Sequence, residues 1–218
     1  KLCVGKDTIY GEEIQKIRKI MEAGVREAES GNREGNVASH PIMLEYISYL
    51  IDLFRTESVP RLTVVLDSGN GTAGLAAPEV IRSMGCSVIE LYSEPDGRFP
   101  NHHPDPTIPK NLATLIKTVK ENRADFGIAF DGDSDRIGVV DEQGNILWGD
   151  QLMVLFSRDI LKERKGATFV SEVKCSQTMY DDIRAKGGNA IMWKTGHSLI
   201  KAKMKETGAA LAGEMSGH

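Results

Sequence analysis

The 218-residue sequence is poor in cysteine: Cys3, Cys86 and Cys175 are odd in number, far apart and in no metal-ligand spacing. That excludes a disulfide framework and a zinc knuckle, and fits reduced thiols in a cytoplasmic protein. No apolar run approaches the length that spans a bilayer, so no membrane partner is expected. No charged leader with an apolar core precedes Gly5, so no signal peptide is expected either. The formal charge of -4 excludes a broad basic footprint, and with it a nucleic-acid partner. Proline- or serine-rich linkers, low-complexity tracts and short repeats are also missing. What remains is an ordinary composition, with length for one large domain or two small ones.

The most informative stretch is residues 126–136, Phe126-Gly-Ile-Ala-Phe-Asp-Gly-Asp-Ser-Asp-Arg136. Five mostly apolar residues read as a buried strand. Asp131, Asp133 and Asp135 follow at i, i+2 and i+4, a spacing that turns alternate side chains of an extended chain to one side. Three converging carboxylates repel unless a hard cation joins them. Mg²⁺ is expected over Ca²⁺, because a short run offers few ligands and leaves room for water and phosphate. Arg136 is suited to gripping that phosphate.

Three other readings fit parts of this stretch. One is a plain acidic turn. An EF-hand would use Asp131, Asp133, Asp135 and Glu142, but Arg136 stands where that loop needs glycine, and a strand leads in. A phosphatase with Asp131 as nucleophile fits Asp131 and Asp133, although Asp135 replaces the usual threonine.

Along the chain, residues 1–4 read as the tail of a strand, and residues 11–29 as a helix stopped by Gly31-Asn32. An irregular link leads to a helix over 42–54. From Arg61 strands and helices alternate: strand 62–66, helix 75–84, strand 86–91, helix 111–122 and strand 126–130. A hairpin follows, 137–140 with 146–148. After Gly149, with Asp150 as the expected N-cap, come helix 151–163, strand 168–173, helix 176–186, strand 189–193, helix 198–206 and strand 209–212. This rhythm implies an α/β fold of successive small domains whose sheets are covered by helices.

Other candidate sites sit where strands end. Asp67-Ser-Gly-Asn-Gly-Thr-Ala-Gly74 is a glycine-rich turn, read equally as an anion loop or as a tight strand-to-helix turn. It is neither a P-loop nor a Rossmann fingerprint. The proline-rich loop over 94–106 carries His102-His103, which face opposite ways in extended chain, and is expected to be structural or interfacial. Trp193-Lys-Thr-Gly-His197 gathers Lys194, His197 and backbone amides at a helix start. Gly213-Glu-Met-Ser-Gly-His218 places Glu214, Ser216 and His218 at i, i+2, i+4, so that two could hold sugar hydroxyls and the third could move a proton.

Taken in order, Asp131-Gly-Asp-Ser-Asp-Arg136, Trp193-Lys-Thr-Gly-His197 and Gly213-Glu-Met-Ser-Gly-His218 resemble the α-D-phosphohexomutase superfamily. The 94–106 loop and Met215 resemble its bacterial phosphomannomutase/phosphoglucomutase branch; the phosphoglucosamine branch is similar but usually has Gln at that position. The resemblance implies several small α/β domains with mixed sheets sandwiched by helices, in a multi-domain protein built around a cleft. It assigns residues 1–37 to the end of a first domain, 38–149 to a second and 150–218 to a truncated third. It implies that Asp131, Asp133 and Asp135 bind Mg²⁺, that Arg136 lies beside a phosphoserine, and that Glu214 and Ser216 hold sugar hydroxyls. Lys1, Lys174, His197 and His218 would surround the reacting oxygens, with Lys1 and His218 as acid/base candidates. The implied reaction interconverts hexose 1-phosphate and hexose 6-phosphate, of mannose or glucose, through a bisphosphorylated sugar. Glucose 1,6-bisphosphate is the implied activator, and a monomer the implied state.

The family's phosphoserine loop has no counterpart in the chain. Ala38-Ser-His-Pro41 mimics it but lacks its Asn and follows the first helix, which argues against Ser39 as the nucleophile. No fourth domain is represented. The chain alone is therefore expected to be inactive, and a non-catalytic metal- and sugar-phosphate-binding fragment is the alternative reading.

Overall fold

The structure, a computed structural model, describes residues 2–5, 7–24, 36–54 and 60–218. It is built on two main sheets. A small antiparallel hairpin of β1 (Cys3–Val4) and β2 (Asp7–Thr8) precedes them, so the opening strand expected from the sequence has a local partner. Helix α1 (Glu12–Glu22) stops at Ala23, short of the expected end at Glu29; residues 25–35 lie outside the described residues. Helix α2 (Ile42–Leu53) buries Ile47 and leaves Leu44, Tyr49, Leu53 and Phe54 exposed.

The first main sheet contains β3 (Thr63–Asp67), β4 (Ser87–Leu91), β5 (Phe126–Phe130), β6 (Ile137–Asp141) and β7 (Ile146–Leu147). Its order is β4-β3-β5-β6-β7; the β4-β3-β5 pairs are parallel and the β5-β6-β7 pairs antiparallel. The near-continuous apolar run of β3 is explained by its place in the middle, with Val64, Val65 and Leu66 fully buried. Helix α3 (Ala77–Ser83) packs by β4, preceded by a short 3₁₀ turn, Thr72–Leu75, so the expected helix is shorter and starts later. The cause is local, since Pro78 lies in the first turn and lacks the N–H a longer helix would need. Helix α4 (Ala113–Asn122) lays Leu115 and Val119 on Val65, Ala129 and Val140, the centre of this core.

From β7 the chain passes directly into α5 (Gly149–Glu163). Asp150 is not its N-cap. The Gln151 side chain accepts from the Trp148 N–H (2.8 Å), taking over the capping role, while the Asp150 carboxylate accepts from Ser176 N (2.9 Å). Ser176 in turn caps α6 (Gln177–Ala185). The second sheet joins β8 (Thr168–Glu172), β9 (Asn189–Trp193) and β10 (Leu211–Gly213) in the order β10-β8-β9. Here the pairing is parallel throughout, whereas the first sheet is mixed. Phe169 faces α5 and α6 through Met153, Met179, Tyr180 and Ile183; its neighbour Val170 faces α7 (His197–Thr207) through Ile200. One strand thus feeds two cores by simple alternation.

Parallel strands put their carboxyl ends on one edge, where ligand sites of open α/β sheets form. Here β3 and β5 deliver the glycine-rich turn and the acidic loop. The ends of β8, β9 and β10 deliver Lys174, the 193–197 segment and the 213–218 segment.

Candidate active site

The two sets of strand ends face a common cleft of about 860 Å³. Asp131, Asp133, Asp135 and Arg136 line it from the first sheet, and Lys174, His197, Glu214, Ser216 and His218 from the second. Lys1 lies outside the described residues.

The three aspartates converge, each offering an oxygen within 4.8 Å of the others. They do so by a different route from the extended chain expected. Ser134 N donates to Asp131 O (3.1 Å) and Ser134 adopts a left-handed φ of 63°, so the loop folds into a turn. Asp131 Oδ1 accepts from the N–H groups of Asp135 (2.9 Å) and Arg136 (3.0 Å), and its Oδ2 lies 3.8 Å from Arg136 Nε. Burial raises the Asp131 carboxyl above its ordinary range, the Arg136 N–H opposes this, and the neighbouring Asp135 and Asp133 raise it further. A crowded set of three hard carboxylate oxygens fits a divalent metal such as Mg²⁺.

The glycine-rich turn buttresses this loop from behind. Thr72 N donates to Gly132 O (3.1 Å), and the hydroxyls of Thr72 and Ser134 lie 3.0 Å apart. A Cβ on Gly71 would stand 2.8 Å from Gly132 O, so the close approach requires glycine. Of the two readings of this turn, the structural one fits: its amides are spent on Asp67, Tyr92, Ser68 and Gly132.

The histidine pair divides as its spacing suggested. His102 turns inward to the fully buried Asp67, with Nε2 3.1 Å from both carboxylate oxygens. That hydrogen bond raises the His102 pKa against the opposing effect of burial. His103 turns into the cleft. The 94–106 loop, expected to be structural or interfacial, also lines the cleft through Phe99, His103, Pro104 and Asp105. Burial pushes the Asp105 carboxyl up, but the Thr107 hydroxyl and N–H, with the charges of Arg136 and His103, bring it below its ordinary range.

On the opposite wall, residues 213–218 also form a turn, with Gly217 N donating to Glu214 O (3.0 Å). Glu214 Oε1 accepts from Gly196 N (2.8 Å) and Oε2 from the Ser216 hydroxyl (3.3 Å), so the carboxylate ties two loops together. One amide at the start of α7 is therefore already committed, and Lys194 lies exposed outside the cleft lining. The His197 and His218 rings meet edge-on at 5.1 Å.

The two walls touch. His218 donates from Nδ1 to Asp135 O (2.8 Å), and Ile137 N donates to Gly217 O (3.0 Å). Gly217 has φ 85°, and a Cβ there would stand 2.1 Å from Ile137 O. The cleft is also lined by His103, Asp105 and Trp148, to which the motifs assign no role, and the buried Glu172 lies behind it against Lys174 and Met215. A charge at the end of strand 168–172 is the available signal for Glu172.

Three comparisons bear on this cleft. Residues 44–144 match the family model of phosphoglucomutase/phosphomannomutase, alpha/beta/alpha domain II, and residues 148–218 match domain III. The chain is 48% identical over all its 218 residues to a phosphomannomutase/phosphoglucomutase of Pseudomonas aeruginosa, covering 46% of that protein. It is 43% identical, with the same coverage, to a phosphoglucomutase of Neisseria meningitidis. A crystal structure of a phosphoglucomutase/phosphomannomutase family protein from Burkholderia thailandensis superposes with a TM-score of 0.87 at 41% identity, covering 97% of this chain and 45% of that one. The chain thus spans about half the length of the relatives it matches. Among the described residues, no helix is long and apolar enough to cross a membrane.

Proposed function

The chain belongs to the phosphoglucomutase/phosphomannomutase family, and on that premise we propose that it supplies the metal-binding and sugar-binding walls of a phosphohexomutase active site. The reaction is interconversion of hexose 1-phosphate and hexose 6-phosphate, of mannose or glucose, through a phosphoserine and a bisphosphorylated sugar. The observation that carries this is the meeting of the acidic triad with Glu214, Ser216 and His218 across one cleft, joined by the His218–Asp135 hydrogen bond. Its volume of about 860 Å³ fits a sugar phosphate.

Asp131, Asp133 and Asp135 would hold Mg²⁺, which when bound neutralises charge on a transferring phosphoryl group. Arg136 and Lys174 supply further positive charge at the cleft wall. Glu214 and Ser216 present an acceptor and a hydroxyl suited to adjacent sugar hydroxyls. His218 donates from Nδ1 to a carbonyl, so the neutral ring keeps its lone pair on Nε2 and can take a proton there. Lys1 is the second acid/base candidate.

A phosphatase with Asp131 as nucleophile is the rival reading: Oδ1 is held by two backbone N–H groups, and Oδ2 would be the attacking oxygen. The test is the intact mass of the chain before and after glucose 1,6-bisphosphate with Mg²⁺. The mutase reading expects Asp131 to carry no phosphoryl group after this treatment. A phosphoryl group on Asp131 would overturn it.

A further inference from the structure

We propose that Glu172, which does not itself line the cleft but touches Lys174 and Met215 that do, is a positioning residue that sets Lys174 relative to the sugar-binding turn. It closes β8, the middle strand of the second sheet, and is fully buried. Its own carbonyl is pinned by the Tyr180 hydroxyl (2.7 Å) and Cys175 N (3.1 Å), so the start of the side chain has one position. At the other end, Oε1 accepts from Met215 N (2.9 Å) and lies 3.3 Å from Lys174 Nζ. The second oxygen, Oε2, is buried and makes no hydrogen bond.

A buried carboxylate is costly unless paired. Here Lys174 is the cation beside it, with a side chain 56% exposed at the cleft wall. Were Lys174 to swing away, Glu172 would keep one backbone amide for a whole buried charge. The lysine is thus held where it stands and meets an incoming phosphate from a fixed point. The same oxygen holds Met215, the residue between Glu214 and Ser216. One carboxylate therefore sets the spacing between the phosphate-facing cation and the hydroxyl-facing pair. The proposal rests on the hexose-phosphate reading of the cleft.

Glu172→Gln separates the two contacts. The amide oxygen still accepts from Met215 N, but the charge that holds Lys174 is gone. Glucose 1-phosphate affinity is measured by calorimetry in a cycle of wild type, Lys174→Met, Glu172→Gln and the double variant. Lys174→Met is expected to weaken binding about tenfold in the wild-type background, as for a charge-assisted contact, and several-fold less in Glu172→Gln. An equal loss in both backgrounds would make Glu172 a mere strut of the fold, and a larger loss in Glu172→Gln would make it a brake on the lysine; either overturns the proposal.

Should Glu172→Gln not fold, the wild-type chain decides by ¹⁵N NMR of the Lys174 ammonium without ligand. An ordered ammonium with slowed proton exchange is expected, and a freely rotating one overturns the proposal. Failure of the wild type to bind glucose 1-phosphate would sink the hexose-phosphate reading instead, while the ammonium signal still judges Glu172.

Discussion

Gly217 and Ile137 meet backbone to backbone, and through them the 213–218 turn leans on the strand that leaves the acidic loop. Gly217→Ala places a Cβ where Ile137 O already stands, in a left-handed conformation that by itself costs an L-residue about 1–2 kcal/mol. The variant is expected to lose at least that much stability in urea unfolding. It should also bind glucose 1-phosphate more weakly, because Glu214 and His218 move with the turn. Unchanged unfolding would show that the turn can leave Ile137 freely.

Asp131→Asn isolates the metal. The amide oxygen can still accept from Asp135 and Arg136 N–H, while one negative charge leaves a crowded, partly buried cluster. The metal-free variant should melt no lower than wild type. Mg²⁺ is expected to raise the melting temperature of wild type, and that rise should disappear in the variant, since stabilisation by a ligand requires binding to the folded state. A full Mg²⁺ response in the variant would remove Asp131 from the ligand set.

His102 offers a pH test away from the cleft. Its pKa is raised above 6.5 by the hydrogen bond to Asp67. A raised folded-state value means that its stabilisation is complete below the ordinary pKa and fades as pH rises through the raised one. Unfolding free energy followed across that window should therefore fall with rising pH in wild type, and the fall should be smaller in His102→Gln. Parallel profiles would mean that the Asp67 pair contributes nothing through protonation.

Leu115 tests the core under the acidic loop. It is fully buried between α4 and the sheet, and Leu115→Ala should cost about 2–5 kcal/mol. Because the side chain is remote from the triad oxygens, Mg²⁺ affinity of the molecules that remain folded should hold. A loss well under 1 kcal/mol would mean that the α4 interface collapses onto the gap.

Much of this was legible in the residues, for a physical reason. Strand and helix order followed from periodicity, because burial of one face leaves a repeating trace. The convergence of Asp131, Asp133 and Asp135, and of Glu214 with Ser216, was also readable, although the geometry assumed for it was not. Both segments are turns whose shape depends on left-handed Ser134 and Gly217 and on contacts from distant chain. No local pattern encodes the carbonyl of Gly132 resting on Gly71, or that of Asp135 accepting from His218. The 94–106 loop, expected from its opposed histidines to be structural or interfacial, gives no local sign of lining the cleft, because that depends on where the sheet edge lies. Glu172 has only a weak local mark, a charge at the end of a strand whose Phe169 and Val170 are buried.

The cleft is assembled from one edge of two sheets, and the turns at the opposite edge lie away from it. The turns entering β4, β8 and β9, at Gly85, Gly166 and Gly187, have open space around them. These are places to cut and rejoin the chain with a glycine kept at the joint. A label carried on any of the three would replace a left-handed glycine (φ 92°, 74° and 85°) and meet the same backbone cost as Gly217→Ala, so a reporter belongs on a neighbouring residue.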